Sequence, residues 1–131
     1  MFECLVLGDS IAVGTKMFRP DCVSYAKTGI NSRDWNRQYG NQDLDAKTTI
    51  ISLGSNDFKN INSESELRAI RAATKSNRVY WIVPAIKPDI QRIVKLIAAD
   101  WGDQILHIPE ISKDNVHPTM SGYRQLAKAA Q

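Results

Sequence analysis

The sequence predicts an α/β protein: a single-domain, three-layer α/β/α sandwich around a five-stranded parallel sheet. Three observations predict it. Short apolar runs alternate with segments of helical period over all 131 residues, the pattern of successive βαβ units. The central runs are apolar on both faces, as strands buried beneath two layers of helices are. No stretch rich in Pro, Gly or Ser divides the chain, and no repeat or low-complexity segment interrupts it, so residues 1–131 read as one domain.

The elements follow in order. Strands are expected over residues 3–7, 22–26, 49–53, 78–83 and 104–108, each rich in Val, Ile, Tyr or Trp. Residues 11–18 and 31–39 supply the first two helices. Ser63 with Glu66 forms a capping box that opens a third helix, with Leu67 and Ile70 on one face. Ile90, Ile93, Val94, Ile97 and Trp101 recur at helical spacing behind Pro88 and stop at Gly102, which defines the fourth. Tyr123, Leu126, Ala127 and Ala130 make the fifth. Strict alternation of strand and helix implies right-handed crossovers and helices on both faces. The expected strand order is the flavodoxin-like 2-1-3-4-5.

Composition narrows the function classes. With 43% hydrophobic and 24% charged residues the chain is of globular type, and at this length it needs no disulfide framework or structural metal. Seventeen Lys and Arg against fourteen Asp and Glu leave +3, but the basic residues are spread from Lys16 to Lys128. Nucleic acid requires a concentrated basic face, so it is not an expected partner. The N-terminus carries Glu3 where a signal peptide has Lys or Arg, and no run approaches the ~20 apolar residues of a membrane span. These features predict a soluble, cytoplasmic protein without a membrane partner. In that setting Cys4 and Cys22 are expected as reduced thiols, with Cys4 packed in the core.

In open parallel sheets the chemistry lies beyond the carboxyl ends of the strands. Four segments fall there: Gly8-Asp9-Ser10, Thr28-Gly29-Ile30-Asn31, Gly54-Ser55-Asn56-Asp57 and Asp114-Asn115-Val116-His117-Pro118. Together they hold the inventory for acyl transfer. Ser10 is the candidate nucleophile, His117 the base that accepts its proton, and Asp114 the carboxylate that orients the imidazole. The Asp-x-x-His spacing lets one turn present both side chains. Ser10 precedes a helix, so its backbone N–H lies among unsatisfied donors that favour an oxyanion. Gly29 allows an acyl oxygen to approach its own N–H, and Asn56 adds a side-chain amide.

In these four motifs the chain resembles the SGNH hydrolases, the GDSL-type esterases and lipases. The match runs in family order through Gly8-Asp9-Ser10, Gly29, Gly54-x-Asn56-Asp57 and Asp114-x-x-His117-Pro118, and spans nearly the whole chain. The resemblance implies a serine esterase with Ser10, Asp114 and His117 as triad and the Ser10 amide, Gly29 and Asn56 as oxyanion hole. It implies no metal and no organic cofactor. Ile11 stands where the family often has Leu. Family members are usually longer, and so short a chain leaves little for a lid, an acyl tunnel or a substrate domain. The expected substrate is therefore a short-chain acyl ester such as an acetyl ester, carried on a small molecule or a carbohydrate.

Plainer roles exist for each residue. Ser10 is also a helix N-cap by type, Gly29 a turn glycine and Asn56 an Asx-turn residue, while Gly54 is read as purely structural. Asp9 and Asp57 read as acceptors that stabilise turns. His107 lies inside the last strand-like run and reads as structural. The three tryptophans read as packing residues rather than a carbohydrate platform, and Trp35, next to the Gly29 loop, is the one to watch for substrate contact. Residues 84–88 border the same crevice without an assigned task.

Three other functions share this architecture. A receiver-type phospho-acceptor domain would use Asp57, yet it needs an acidic pair after the first strand, where only Asp9 stands. A flavodoxin-type module would cradle phosphate with residues 10–15 and leave Asp114 and His117 unexplained. An SGNH fold retained as a non-catalytic glycan-binding or assembly module would keep the motifs without the chemistry.

Overall fold

Five strands pair side by side in parallel, each followed by a helix. The computed structural model describes residues 1–131. In chain order the elements are β1 (Phe2–Gly8), α1 (Ser10–Lys16), β2 (Val23–Ala26), α2 (Ser32–Tyr39), β3 (Asp45–Ser52), α3 (Ser63–Ala73), β4 (Lys75–Val83), α4 (Pro88–Trp101), β5 (Gln104–His107) and α5 (Met120–Ala129). The sheet order is β2-β1-β3-β4-β5, the order expected from the sequence. No helix is long and apolar enough to cross a membrane.

Alternation along the strands divides the core in two. Leu5, Leu7, Ile51, Val79, Trp81 and Val83 face Trp35 of α2, Leu67 and Ile70 of α3, and Ile90, Val94 and Ile97 of α4. Cys4, Val6, Ile50 and Ile82 face the other way, toward Ile11 and Ala12 of α1 and Leu126 of α5. Both sheet faces are thus covered, which is why the central strands carry no polar alternation.

Several boundaries moved for local physical reasons. β3 and β4 begin before their apolar runs because Asp45 pairs with Lys75 and Ala46 with Ser76 in the ladder. Backbone hydrogen bonds continue where side chains no longer need burial. Helix α3 is capped by Asn62, whose side chain accepts from the Ser65 N–H, so Ser63 is its first residue and not its cap. Glu66, expected in the capping box, accepts instead from the Asn36 amide of α2 at 2.8 Å. Asparagine caps as well as serine does, and a tertiary partner took the glutamate.

The cysteines correct the sequence reading. Cys4 and Cys22 are joined in a disulfide, and no free thiol remains. Register explains it: Leu5 pairs with Val23, so the residues preceding them lie side by side, with Cα atoms 4.4 Å apart. Both are buried, and the Arg19 guanidinium reaches Cys4 Sγ while donating to the Ala127 and Ala130 carbonyls at the end of α5. Reduced thiols were expected from a cytoplasmic setting, whereas a disulfide is the form that persists in oxidising surroundings.

The bond closes a loop with a sequence separation of 18, for which chain-entropy arguments give about 3 kcal/mol. Reduction with dithiothreitol should lower the urea midpoint accordingly, and a Cys4→Ala, Cys22→Ala double variant should match the reduced protein. An unchanged midpoint would show that the sulfurs are not bonded in solution.

Candidate active site

The site begins where β1 meets β3. Gly8, the last residue of β1, pairs with Ala26 on one side and Ser52 on the other. Its φ is +147°, and a Cβ there would lie 1.8 Å from the Ser52 carbonyl oxygen. Only glycine permits that approach. Asp9 follows: its N–H donates to the Ser52 carbonyl at 3.0 Å. Its Oδ1 accepts from the Ile11 N–H at 3.0 Å and the Ser52 hydroxyl at 3.2 Å. Asp9 is therefore the N-cap of α1 and Ser10 its first residue, so capping is not the Ser10 side chain's task.

The Ser10 hydroxyl points to histidine. Its Oγ lies 2.8 Å from His117 Nε2, and His117 Nδ1 lies 2.6 Å from Asp114 Oδ2. Asp114 Oδ1 also accepts from the His117 N–H at 2.9 Å, the Val116 N–H at 2.8 Å and the Ser112 hydroxyl at 2.8 Å. The two backbone N–H groups of His117 and Val116, then the His117 and Ser112 side chains, hold the Asp114 carboxyl well below the usual carboxylate range. An ionised Asp114 requires the proton on Nδ1, which leaves Nε2 as acceptor for the Ser10 hydroxyl.

The loop carrying these groups is itself closed. Ile111 bridges Pro118, the Ser112 N–H donates to the His117 carbonyl at 2.8 Å, and Asn115 takes a positive φ of 61°. Asp114 thus braces the loop from inside while orienting the imidazole. His117 and Asp114 remain partly open to solvent, at 40% and 50% side-chain exposure, so a substrate can reach them without a lid opening.

Gly29 and Asn56 occupy equivalent places in two neighbouring turns. The Ile30 N–H donates to the Lys27 carbonyl at 3.2 Å, which makes Gly29, with φ +81°, the third residue of a turn. The Asp57 N–H donates to the Gly54 carbonyl at 3.1 Å, which puts Asn56 in the same position after β3. The turns are tied together. Asn56 Nδ2 donates to the Ile30 carbonyl at 3.1 Å, and the Asp57 carboxylate accepts from the Ser32 N–H at 2.8 Å and hydroxyl at 2.6 Å. A Cβ on Gly29 would meet nothing within 4 Å, so open space lies before it.

The structure therefore joins Ser10, His117 and Asp114 by hydrogen bonds and sets Gly29 and Asn56 on the adjoining strand ends. Trp35 is the packing residue expected of it, fully buried with its Nε1–H donating to the Tyr25 carbonyl at 2.8 Å, and it cannot touch substrate. His107 ends β5 in an exposed position beside a cavity of about 300 Å³ instead of packing inside. Asp57 is buried and bound twice by Ser32, which is no accessible phosphoryl acceptor. Lys87, in the segment to which the sequence assigned no task, donates from Nζ to the Ser55 and Asp57 carbonyls, each at 2.7 Å.

Solved structures share this arrangement of chain. A Parabacteroides merdae ATCC 43184 protein, provisionally named a GDSL-like lipase, superposes with a TM-score of 0.69 at 14% identity, over 97% of this chain and 92% of that one. A Bacteroides fragilis NCTC 9343 protein, provisionally named an acylhydrolase, gives 0.65 at 18% identity, over 96% and 83%. The chain thus shares its fold with these two proteins. No protein-family model and no curated protein matches the sequence.

One carboxyl beside the site is under strain of charge. Asp9 is wholly buried and its Oδ2 has no partner. Burial pushes its carboxyl up to about 6, against the opposing hydrogen bonds from Ile11 and Ser52. Between the ordinary carboxylate value of 3.8 and about 6 the folded protein keeps a proton that the unfolded chain has lost. Stability from this group therefore falls as pH rises through that window, by about 3 kcal/mol at ~1.4 kcal/mol per unit. Asp9→Asn should lack that loss, so its urea stability relative to the native protein should improve from pH 4 to pH 6. A constant difference across the window would refute the shift.

Proposed function

We propose that the chain is a serine esterase that hydrolyses short-chain acyl esters through an acyl-enzyme intermediate. The observation that carries this reading is the hydrogen-bonded series from the Ser10 hydroxyl through His117 to Asp114. Ser10 Oγ attacks the acyl carbonyl as His117 Nε2 takes its proton, and Asp114 stabilises the imidazolium. The tetrahedral oxyanion is met by the N–H groups of Ser10 and Gly29 and the Asn56 amide. Its collapse breaks the ester bond, and His117 returns the proton to the departing alcohol. Water then enters by the same route: His117 removes its proton, its oxygen attacks the acyl carbon, and Ser10 leaves with the proton restored.

The surroundings of Gly29 support a polar, short-chain substrate. A cavity of about 470 Å³ there is lined by Lys27, Thr28, Asp34, Arg37 and Gln38, with Ile30 its sole hydrophobic residue. Such walls suit a polar alcohol, as in an O-acetylated carbohydrate, better than a long lipid chain. The reading is thus a carbohydrate O-deacetylase, working without metal or organic cofactor.

Turnover of p-nitrophenyl acetate and labelling by a fluorophosphonate test the mechanism. Ser10→Ala should abolish both, and His117→Ala should lower kcat by about a thousandfold or more. Asn56→Ala should cost about a hundredfold, whereas His107→Ala should remain active. Activity should also fall toward acid pH, because the base acts only unprotonated. Labelling that persists in Ser10→Ala would sink the assignment of Ser10, and a native protein that neither turns over the ester nor takes the label would leave the non-catalytic glycan-binding reading.

An acyl-length series supplies a second check. Acetyl and propionyl esters should be hydrolysed faster than octanoyl esters, and acetylated sugars should serve as substrates. A preference for octanoyl over acetyl would overturn the polar, short-chain reading.

A further inference from the structure

We infer that Lys87 is a positioning residue that holds Asn56 in place as an oxyanion donor, an inference that rests on the esterase reading. Lys87 lies in the segment joining β4 to α4, outside all four motifs. Its Nζ donates to the Ser55 and Asp57 carbonyls, the two that flank Asn56, each at 2.7 Å. Both partners are neutral oxygens, so the ammonium acts as a clip across the turn and not as half of an ion pair.

The backbone of Lys87 departs from convention in the same place. It takes φ 65° and ψ 82°, a left-handed conformation that is strained for a non-glycine residue. Glycine would relieve that strain but would remove the side chain that spans to the neighbouring turn. As N-cap of α4, Lys87 also has its carbonyl engaged by the Ile90 and Gln91 N–H groups, each at 3.0 Å. The ammonium is therefore anchored on a 14-residue helix packed into the core.

The consequence concerns preorganisation. Asn56 has one amide hydrogen committed to the Ile30 carbonyl, and the remaining one serves the oxyanion only if its turn does not shift. Asp57 fixes the turn from the α2 side through Ser32, and Lys87 fixes it from the α4 side. An oxyanion donor displaced by a fraction of an ångström loses much of its value in the transition state while ground-state binding is little changed.

Lys87→Met, which keeps the aliphatic stem, should lower kcat for p-nitrophenyl acetate about ten- to a hundredfold with KM within about twofold. Lys87→Arg should recover part of the loss. In an Asn56→Ala background, Lys87→Met should change kcat no further, because the amide it positions is gone. Equal losses in both backgrounds, or full kcat in Lys87→Met while Ser10→Ala is inactive, overturn the inference. If Lys87→Met does not fold, Lys87→Gln enters the same cycle. The Asn56 side-chain amide resonance, identified by its absence in Asn56→Ala, gives a readout independent of turnover. It should shift or broaden in the Lys87 variant, and an unmoved resonance overturns the inference even if Ser10→Ala shows that the esterase reading is wrong.

Discussion

The close approach of β1 and β3 at Gly8 is the constraint on which the site depends. A side chain there would collide with the Ser52 carbonyl, so glycine is the residue that lets the two strand ends run together. From that contact the Asp9 N–H reaches Ser52, Asp9 caps α1, and Ser10 emerges at the start of a helix beside the ends of β2 and β3. The same register brings the Gly29 and Asn56 turns to either side of Ser10. Without it the motifs would be separate loops on one rim.

Charge is handled differently on the two sides of Ser10. Asp114 stands in a solvent-open loop and receives four hydrogen bonds, which keep it ionised and the His117 ring oriented. Asp9 is sealed beneath Ser10 with one oxygen unpaired, and burial drives it toward the neutral form. Two aspartates of the same motif set thus serve opposite electrostatic ends, because exposure and donor count decide which form is favoured.

The two turns after β2 and β3 behave as one unit. Asn56 binds the Ile30 carbonyl, Asp57 binds the first residue of α2, and Lys87 bonds across the second turn from α4. None of these links joins residues near in sequence, so their effect is to transfer the rigidity of packed helices to loops that would otherwise be mobile.

Sequence by itself determined the layering, the strand order and the residues at the strand ends, because period and alternation report burial directly and the four motifs are local. It could not determine which distant groups would meet. The pairing of β1 with β2 joined Cys4 to Cys22, where isolated thiols were the plain reading, since register is a property of two strands and not of either alone. Trp35 vanished into the core despite standing next to the Gly29 loop, because helix rotation decides which face a residue presents. Lys87 carried no local signal at all: its strained backbone and its two carbonyl partners exist only once α4 is packed against the turn after β3. The residues gathered at the strand ends were legible from the chain, whereas the bracing that holds them required the tertiary structure, because long-range hydrogen bonds leave no periodicity behind.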